Sequence, residues 1–352
     1  MADIKMGIIG FGFMGHQHAK MIESVDEIDL VAICDNVESQ MADAPEGVKK
    51  YSNMDDLIAD EEVNTVLVVV PNPLHLETVE KCAKAGKDII CEKPAAMSVA
   101  EYDRMCEVTK ECGVRFTIHH QRRWDNDYRV IKEVYDQGLV GQPYILKSQM
   151  YGVNGNMHDW HIYPEMGGGM LYDWGVHLID QILYMVDSKI LSVYADVQNV
   201  INEKVDDYFK VIIKYENGLT AELELGTYYL TPKRSWFLGG TTGSAIFELN
   251  FNPMEETKKI VRTKHLLENV PGKITMTAAG PTRSFGPPAP GLLYEEELPT
   301  VNVSHRDYFV NYVNAYYGKE ELVVKLPEIR RVLMMLDAIR ESARTHKAVD
   351  FE

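Results

Sequence analysis

The chain has no apolar run approaching the roughly 20 residues that a helix needs to cross a bilayer. It opens on Met1-Ala2-Asp3-Ile4-Lys5 with no basic-then-apolar leader pattern. Both absences predict a cytoplasmic protein. Cations are also short: 36 Lys and Arg stand against 53 Asp and Glu, a net charge of −17. Nothing cationic dominates to hold phosphates, so neither nucleic acid nor an anionic membrane is expected as a partner. Cysteine is sparse. The five (Cys34, Cys82, Cys91, Cys106 and Cys112) fall in the first third and none makes a Cys-x-x-Cys pair. An odd number suits reduced thiols in a cytosolic protein, and they read as small buried hydrophobes. Internal repeats and low-complexity tracts are absent too. What is present is ordinary for a soluble globular protein, with 45% hydrophobic and 25% charged residues, and 352 residues predict two domains.

The first third alternates strands with helices. Ile4 to Gly10 is a short apolar run followed by Gly10-Phe11-Gly12-Phe13-Met14-Gly15, a G-x-G-x-x-G at a strand-to-helix junction. In a dinucleotide-binding unit the first glycine permits the tight turn, the second lets the backbone approach a pyrophosphate, and the third lets the helix pack on the strand. The phosphates would sit at the positive end of the helix that begins there. A second strand, Leu30 to Asp35, ends in a carboxylate 20 residues after Gly15, where such units place the acid that binds the adenosine ribose. Residues 36–40 contain no Arg or Lys to receive a 2′-phosphate, which predicts NAD rather than NADP. Further strands end at Pro71-Asn72-Pro73-Leu74-His75 and at Glu92-Lys93-Pro94, and Ser98 with Glu101 reads as a capping box. Asn72 is expected to cap the next helix, with Pro73 at its first position. The alternation implies a parallel, doubly wound sheet whose ligands bind beyond the strands' carboxyl ends. Gly10, Phe11, Gly12, Phe13, Met14, Gly15, Asp35, Pro71, Asn72, His75, Glu92 and Lys93 all lie at those ends and are the candidate cofactor contacts. Lys93 would stabilise the alkoxide that develops as hydride leaves, with Glu92 holding its side chain.

Near the middle lies Gly167-Gly168-Gly169, then a predicted helix to about Val186 on which Asp173, His177 and Asp180 share one face. A carboxylate and an imidazole behind a glycine hinge suit proton handling; a solvated polar face is the plainer alternative. Asp180 either tunes His177 or faces solvent.

These motifs, in this order, resemble the glucose–fructose oxidoreductase / inositol dehydrogenase / rhizopine-catabolism (Gfo/Idh/MocA) family over essentially the whole chain. The resemblance implies an NAD(P)-dependent dehydrogenase with a Rossmann domain and a second, α+β domain, acting on sugars, cyclitols or related polyols. It implies a catalytic triad that matches Lys93, Asp173 and His177 here, and assembly as a homodimer or homotetramer through the second domain's sheet. In this scheme His177 takes the hydroxyl proton, Asp173 holds the imidazole or a neighbouring hydroxyl, and Lys93 polarises the oxygen.

Past His120 the pattern changes to a helix and then six strand-like segments, one pair joined by an Asn217-Gly218 hairpin signal. The expected fold is thus an α/β Rossmann domain over 1–120 and an α+β domain with a large, mostly antiparallel sheet over 121–352. Residues 268–299 read as an irregular surface excursion, a lid or an oligomer arm. The segment Asn154 to Tyr163 is expected to overhang the cleft. His158, Trp160, His161 and Tyr163 are candidate substrate contacts, joined by Arg122, Trp174, Tyr228, Lys93, Asp173 and His177. His158-x-x-His161 and His119-His120 raise metal ligation, but no carboxylate or cysteine lies at a matching spacing, and none is expected. Two alternatives remain: a redox-neutral anhydrosugar or glycoside conversion in which NAD is reduced only transiently, and a non-catalytic cofactor-binding regulator.

Overall fold

The computed structural model describes residues 2–152, 159–229, 235–248, 257–263, 274–283 and 291–351. The first six strands are β1 (Ile4–Ile9), β2 (Ile28–Cys34), β3 (Lys49–Tyr51), β4 (Thr65–Val68), β5 (Asp88–Cys91) and β6 (Phe116–Ile118). Between them run α1 (Phe13–Ile22), α2 (Met54–Ala59), α3 (His75–Lys84) and α4 (Val99–Cys112). The strands form one parallel sheet in the order β3-β2-β1-β4-β5-β6. Every residue of β4 is buried, as helices on both faces of a parallel sheet require. The order reverses between β1 and β4, which opens a crevice at the carboxyl ends of those strands.

A second sheet has nine strands: β7 (Pro143–Tyr151), β8 (Ile190–Gln198), β9 (Tyr208–Tyr215), β10 (Thr220–Gly226), β11 (Trp236–Gly240), β12 (Gly243–Glu248), β13 (Thr257–Thr263), β16 (Leu293–Glu296) and β17 (Val349–Asp350). All neighbours pair antiparallel except β7 with β10. Alternating burial along β9 shows one face turned to the core and the other away from it. The hairpin at Asn217-Gly218 joins β9 to β10 as its turn chemistry predicts, with Gly218 at φ 87°. Helices α5 (Asn126–Asp136), α6 (Val176–Met185), α7 (Arg306–Tyr316) and α8 (Leu326–Thr345) complete the fold. No helix among the described residues is long and apolar enough to cross a membrane.

Two expectations change. Within 268–299 the described residues are ordered into strands: β14 (Ile274–Thr277) and β15 (Gly280–Arg283) pair as a hairpin, and β16 extends the large sheet beside β13. Strands of four residues are too short to register as periodicity, and β16 is exposed throughout. Helix α7, expected with the second unit, packs on the first sheet. Its Tyr308 hydroxyl donates to the Ile118 carbonyl at 3.1 Å, and Arg306 Nε donates to the Ser24 carbonyl at 2.8 Å.

The central buried ion pair ties the two layers together. Arg123, fully buried after β6, grips Asp180 of α6 through Nε (2.8 Å) and Nη2 (2.7 Å), while its Nη1 reaches Glu328 of α8 at 2.6 Å. Burial alone raises the Asp180 carboxyl, but Arg123 and His120 outweigh it and hold the group below its usual range. Asp180 thus does not face solvent; its carboxylate is committed to Arg123, and its role is architectural. Asp180→Ala leaves the guanidinium buried with its main partner gone, so a loss of about 3–5 kcal/mol is expected. Urea denaturation measures it, and a loss near zero contradicts this assignment.

Candidate active site

The site forms where the carboxyl edge of the first sheet meets the start of α6. At Gly10 the backbone takes φ 95° and any Cβ would overlap the Val69 carbonyl, so only glycine fits. Gly12 is different: a Cβ there meets no atom within 4 Å. Space is thus kept open beside the first turn of α1, whose unpaired amides and dipole favour a phosphate. Asp35, at the end of β2, accepts from the Phe11 amide (2.7 Å, Oδ2) and the Val37 amide (2.8 Å, Oδ1). Each oxygen keeps a second lone pair for a ribose hydroxyl. Phe13 is 78% exposed on the same rim. These residues fit a dinucleotide.

Three of the expected cofactor contacts have other work. His75 is buried, with Nε2 2.9 Å from the Val70 carbonyl and Nδ1 3.1 Å from that of Pro94. It ties the end of β4 to the Glu92-Lys93-Pro94 turn. Asn72 does not cap a helix; a 3-10 turn precedes α3, and its Nδ2 donates to the Met166 carbonyl at 3.1 Å, bridging toward the glycine triplet. Glu92 is buried and holds the Lys93 backbone amide (2.9 Å), not the ammonium. Pro71 lies exposed beside them, and Met14 is half-buried in α1.

The Lys93 ammonium points across the cleft. It donates to the Asp173 carboxylate and to the Asp173 carbonyl, both at 2.8 Å. Asp173 therefore holds the lysine rather than the imidazole of His177. It sits in a π-helical turn, Leu171–Gly175, that runs straight into α6. Such turns are rare and cluster at functional sites. The turn is fixed from outside: Asp206 accepts from the Leu171 amide at 2.7 Å, and its backbone carbonyl accepts from the Met170 amide at 2.9 Å. Burial raises the Asp206 carboxyl to about 6. A Cβ on Gly169, at φ 98°, would overlap that carboxylate.

His177 follows on the first turn of α6. It is 3% exposed, and its Nδ1 is buried without a partner among the described residues. Burial first, then the charges of Lys93 and Arg122, pull its pKa well below the ordinary histidine value. The ring is therefore neutral and able to accept a proton. Trp174 and His120 flank it edge-on, with centroids at 5.9 and 6.0 Å.

Of the expected substrate contacts, the structure gathers several. His161 Nε2 lies 3.8 Å from Asp173 Oδ2, and the Trp160 ring stacks on His161 with centroids 3.8 Å apart. The Arg122 guanidinium lies over the Trp174 indole at 4.1 Å and pairs with Asp125 at 3.0 Å. Tyr163 is exposed, with Lys204 over its ring at 5.3 Å. Tyr228 is exposed. His158 lies outside the described residues. Sequence spacing missed one cluster: the donor atoms of His18, Glu92 and His119 all lie within 4.8 Å of one another. The carboxylate partner that His119 lacked in sequence comes from the neighbouring strand.

This geometry defines a nicotinamide-dependent oxidoreductase, and the chain belongs to the Gfo/Idh/MocA family. Residues 4–120 match the model of the oxidoreductase family with NAD-binding Rossmann fold, and residues 128–246 match the Gfo/Idh/MocA C-terminal domain. An NAD-binding protein from Listeria innocua is 31% identical, with a TM-score of 0.86 over 99% of this chain and 96% of that one. Myo-inositol 2-dehydrogenase of Thermotoga maritima is 31% identical over 223 residues, 61% of this chain and 66% of the relative. The NADP-dependent scyllo-inositol 2-dehydrogenase of Bacillus subtilis is 25% identical over 99% of this chain and 96% of its own length.

Because a side chain at residue 12 would intrude only on the open cradle, Gly12→Val is expected to change stability by less than about 1 kcal/mol. It is expected to weaken NADH binding at least about tenfold, read by fluorescence titration. Unchanged affinity would place the pyrophosphate elsewhere.

Proposed function

We propose that this protein is a dehydrogenase moving hydride between NAD and a ring CH–OH of a sugar, cyclitol or related polyol, with Lys93, Asp173 and His177 as its catalytic residues. The observation that carries the reading is the Lys93–Asp173 pair at 2.8 Å, facing the cleft one helical turn before a neutral, buried His177. The inositol dehydrogenases among the relatives support the cyclitol class. The division into a dinucleotide-binding unit over 1–120 and a substrate unit over 121–352 belongs to the same reading, and the two matched ranges support it.

When bound, the nicotinamide takes up or returns the hydride. His177 accepts the hydroxyl proton at its ring nitrogen; burial and the Lys93 charge keep it in the form that can do so. Lys93 directs an N–H at the substrate oxygen and stabilises the negative charge that develops there. Asp173 restrains the ammonium, which otherwise has four flexible methylenes to wander on. Trp160, stacked on His161, offers an aromatic face to sugar C–H groups, and His161 offers a hydrogen bond to a neighbouring hydroxyl. Burial of the His177 ring keeps water from the base, with Trp174 and His120 edge-on beside it.

Purified protein mixed with NAD and a panel of inositols, hexoses and sugar acids is expected to produce NADH absorbance with at least one of them. No turnover with any of them, in either direction, would overturn the reading. His177→Ala is expected to lower kcat by roughly 10²- to 10⁴-fold. The base form is lost only as pH falls through the lowered His177 pKa. The acid limb of kcat/KM for the free enzyme is therefore expected below about 6.5, the unperturbed histidine value. A limb above that value would assign the proton to another group.

A further inference from the structure

Behind the Glu92-Lys93-Pro94 turn lies a charged cluster, sealed from solvent, for which the reaction above has no use. Glu92 Oε1 lies 2.6 Å from His18 Nε2 and 3.0 Å from His119 Nδ1. Its Oε2 accepts from the Lys93 backbone amide at 2.9 Å. His18 belongs to α1, the helix whose first turn faces the phosphate cradle, and His119 follows β6. Both imidazoles are fully buried, stacked edge-on at 4.4 Å and walled by Tyr308 and Phe309 of α7.

Burying a carboxylate is costly unless every lone pair finds a donor. Here His18 of α1 hydrogen-bonds Oε1, the His119 ring packs against the same oxygen at 3.0 Å, and Oε2 goes to a single backbone amide, that of Lys93. On the other side of the same turn, His75 faces the Pro94 and Ala95 carbonyls. The turn is therefore held on both flanks. A shared metal ion is the rival use of three such donors. The 2.6 Å approach of His18 Nε2 to Glu92 Oε1 is that of a charge-assisted hydrogen bond rather than of two ligands spread around a metal.

We propose that Glu92, gripped between His18 and His119, is a positioning residue that fixes the Lys93 turn so that the ammonium meets Asp173, and that the grip links the seating of α1 to the lysine's placement. This rests on reading Lys93 as catalytic, but its test does not depend on turnover. The full-length protein is labelled with acetic anhydride, and the rate at each lysine is mapped by mass spectrometry in wild type, Glu92→Gln, His18→Leu and His18→Gln. Labelling at Lys93 is expected to rise about fivefold in Glu92→Gln and His18→Leu, the factor that corresponds to losing one ordinary hydrogen bond. The buried Lys87, which donates to the Asp60 and Val63 carbonyls, is expected to stay protected and so reports that the fold is intact. His18→Gln keeps an N–H donor toward Glu92 and is expected to restore most of the protection at Lys93. Unchanged labelling at Lys93, or an equal rise at Lys87, would overturn the proposal, as would a stoichiometric metal ion in the purified protein. A failed footprint with an inactive Lys93→Met variant removes the clamp alone; a normal footprint with a fully active Lys93→Met variant removes the catalytic reading alone.

Discussion

The candidate site depends on one ion pair: the Lys93 ammonium against the Asp173 carboxylate and carbonyl. Its two halves come from different layers, one from the turn after β5 and the other from the π-helical turn before α6. Neither layer completes the cleft alone. Much of the surrounding structure serves to bring these groups together. Arg123 and Asp180 anchor α6 against the turn after β6, Asp206 pins the start of the helix, and Asn72 reaches from the first sheet to the segment before the glycine triplet. Charged groups buried this far from water are tolerable only when fully partnered, and such partnering demands one arrangement of the elements.

The electrostatics of the site follow from that arrangement. Burial and the cations Lys93 and Arg122 keep His177 neutral, whereas the imidazoles beside Glu92 outweigh burial and hold its carboxyl well below the usual range. His119, one of the two and packed on His18, is itself driven down to about 4, chiefly by burial and by His18. An acceptor imidazole and a donor ammonium therefore coexist in one cleft, the pairing that a proton-coupled hydride transfer needs.

Much of this was legible in the sequence, because local chemistry encodes it. The glycine turn, the carboxylate closing β2, the Ser98–Glu101 cap and the Asn-Gly hairpin each depend on residues a few positions apart. The Glu92-Lys93-Pro94 turn and the Asp173–His177 spacing are visible as local motifs, but the pairing of Asp173 with Lys93 rather than with His177 is not. What was not readable depends on register between distant segments. His18 and Glu92 are 74 positions apart, and Arg123 and Asp180 are 57 apart; only sheet order and helix packing bring them together. The tasks of His75 and Asn72 went unseen for the same reason. Sequence places these residues at a ligand-binding edge, but their side chains point back and hold the edge in shape. The strand Leu293–Glu296 escaped because a short exposed strand carries no apolar alternation.

The account's central claim is that one substrate hydroxyl is shared by the lysine of the first layer and the histidine of the second. A crystal structure of the protein with NAD and the polyol that it oxidises measures this directly. The account predicts a single substrate oxygen within hydrogen-bond reach of both Lys93 Nζ and the His177 ring. A substrate whose oxygens contact neither group, or only one of them while the other faces protein, would contradict it.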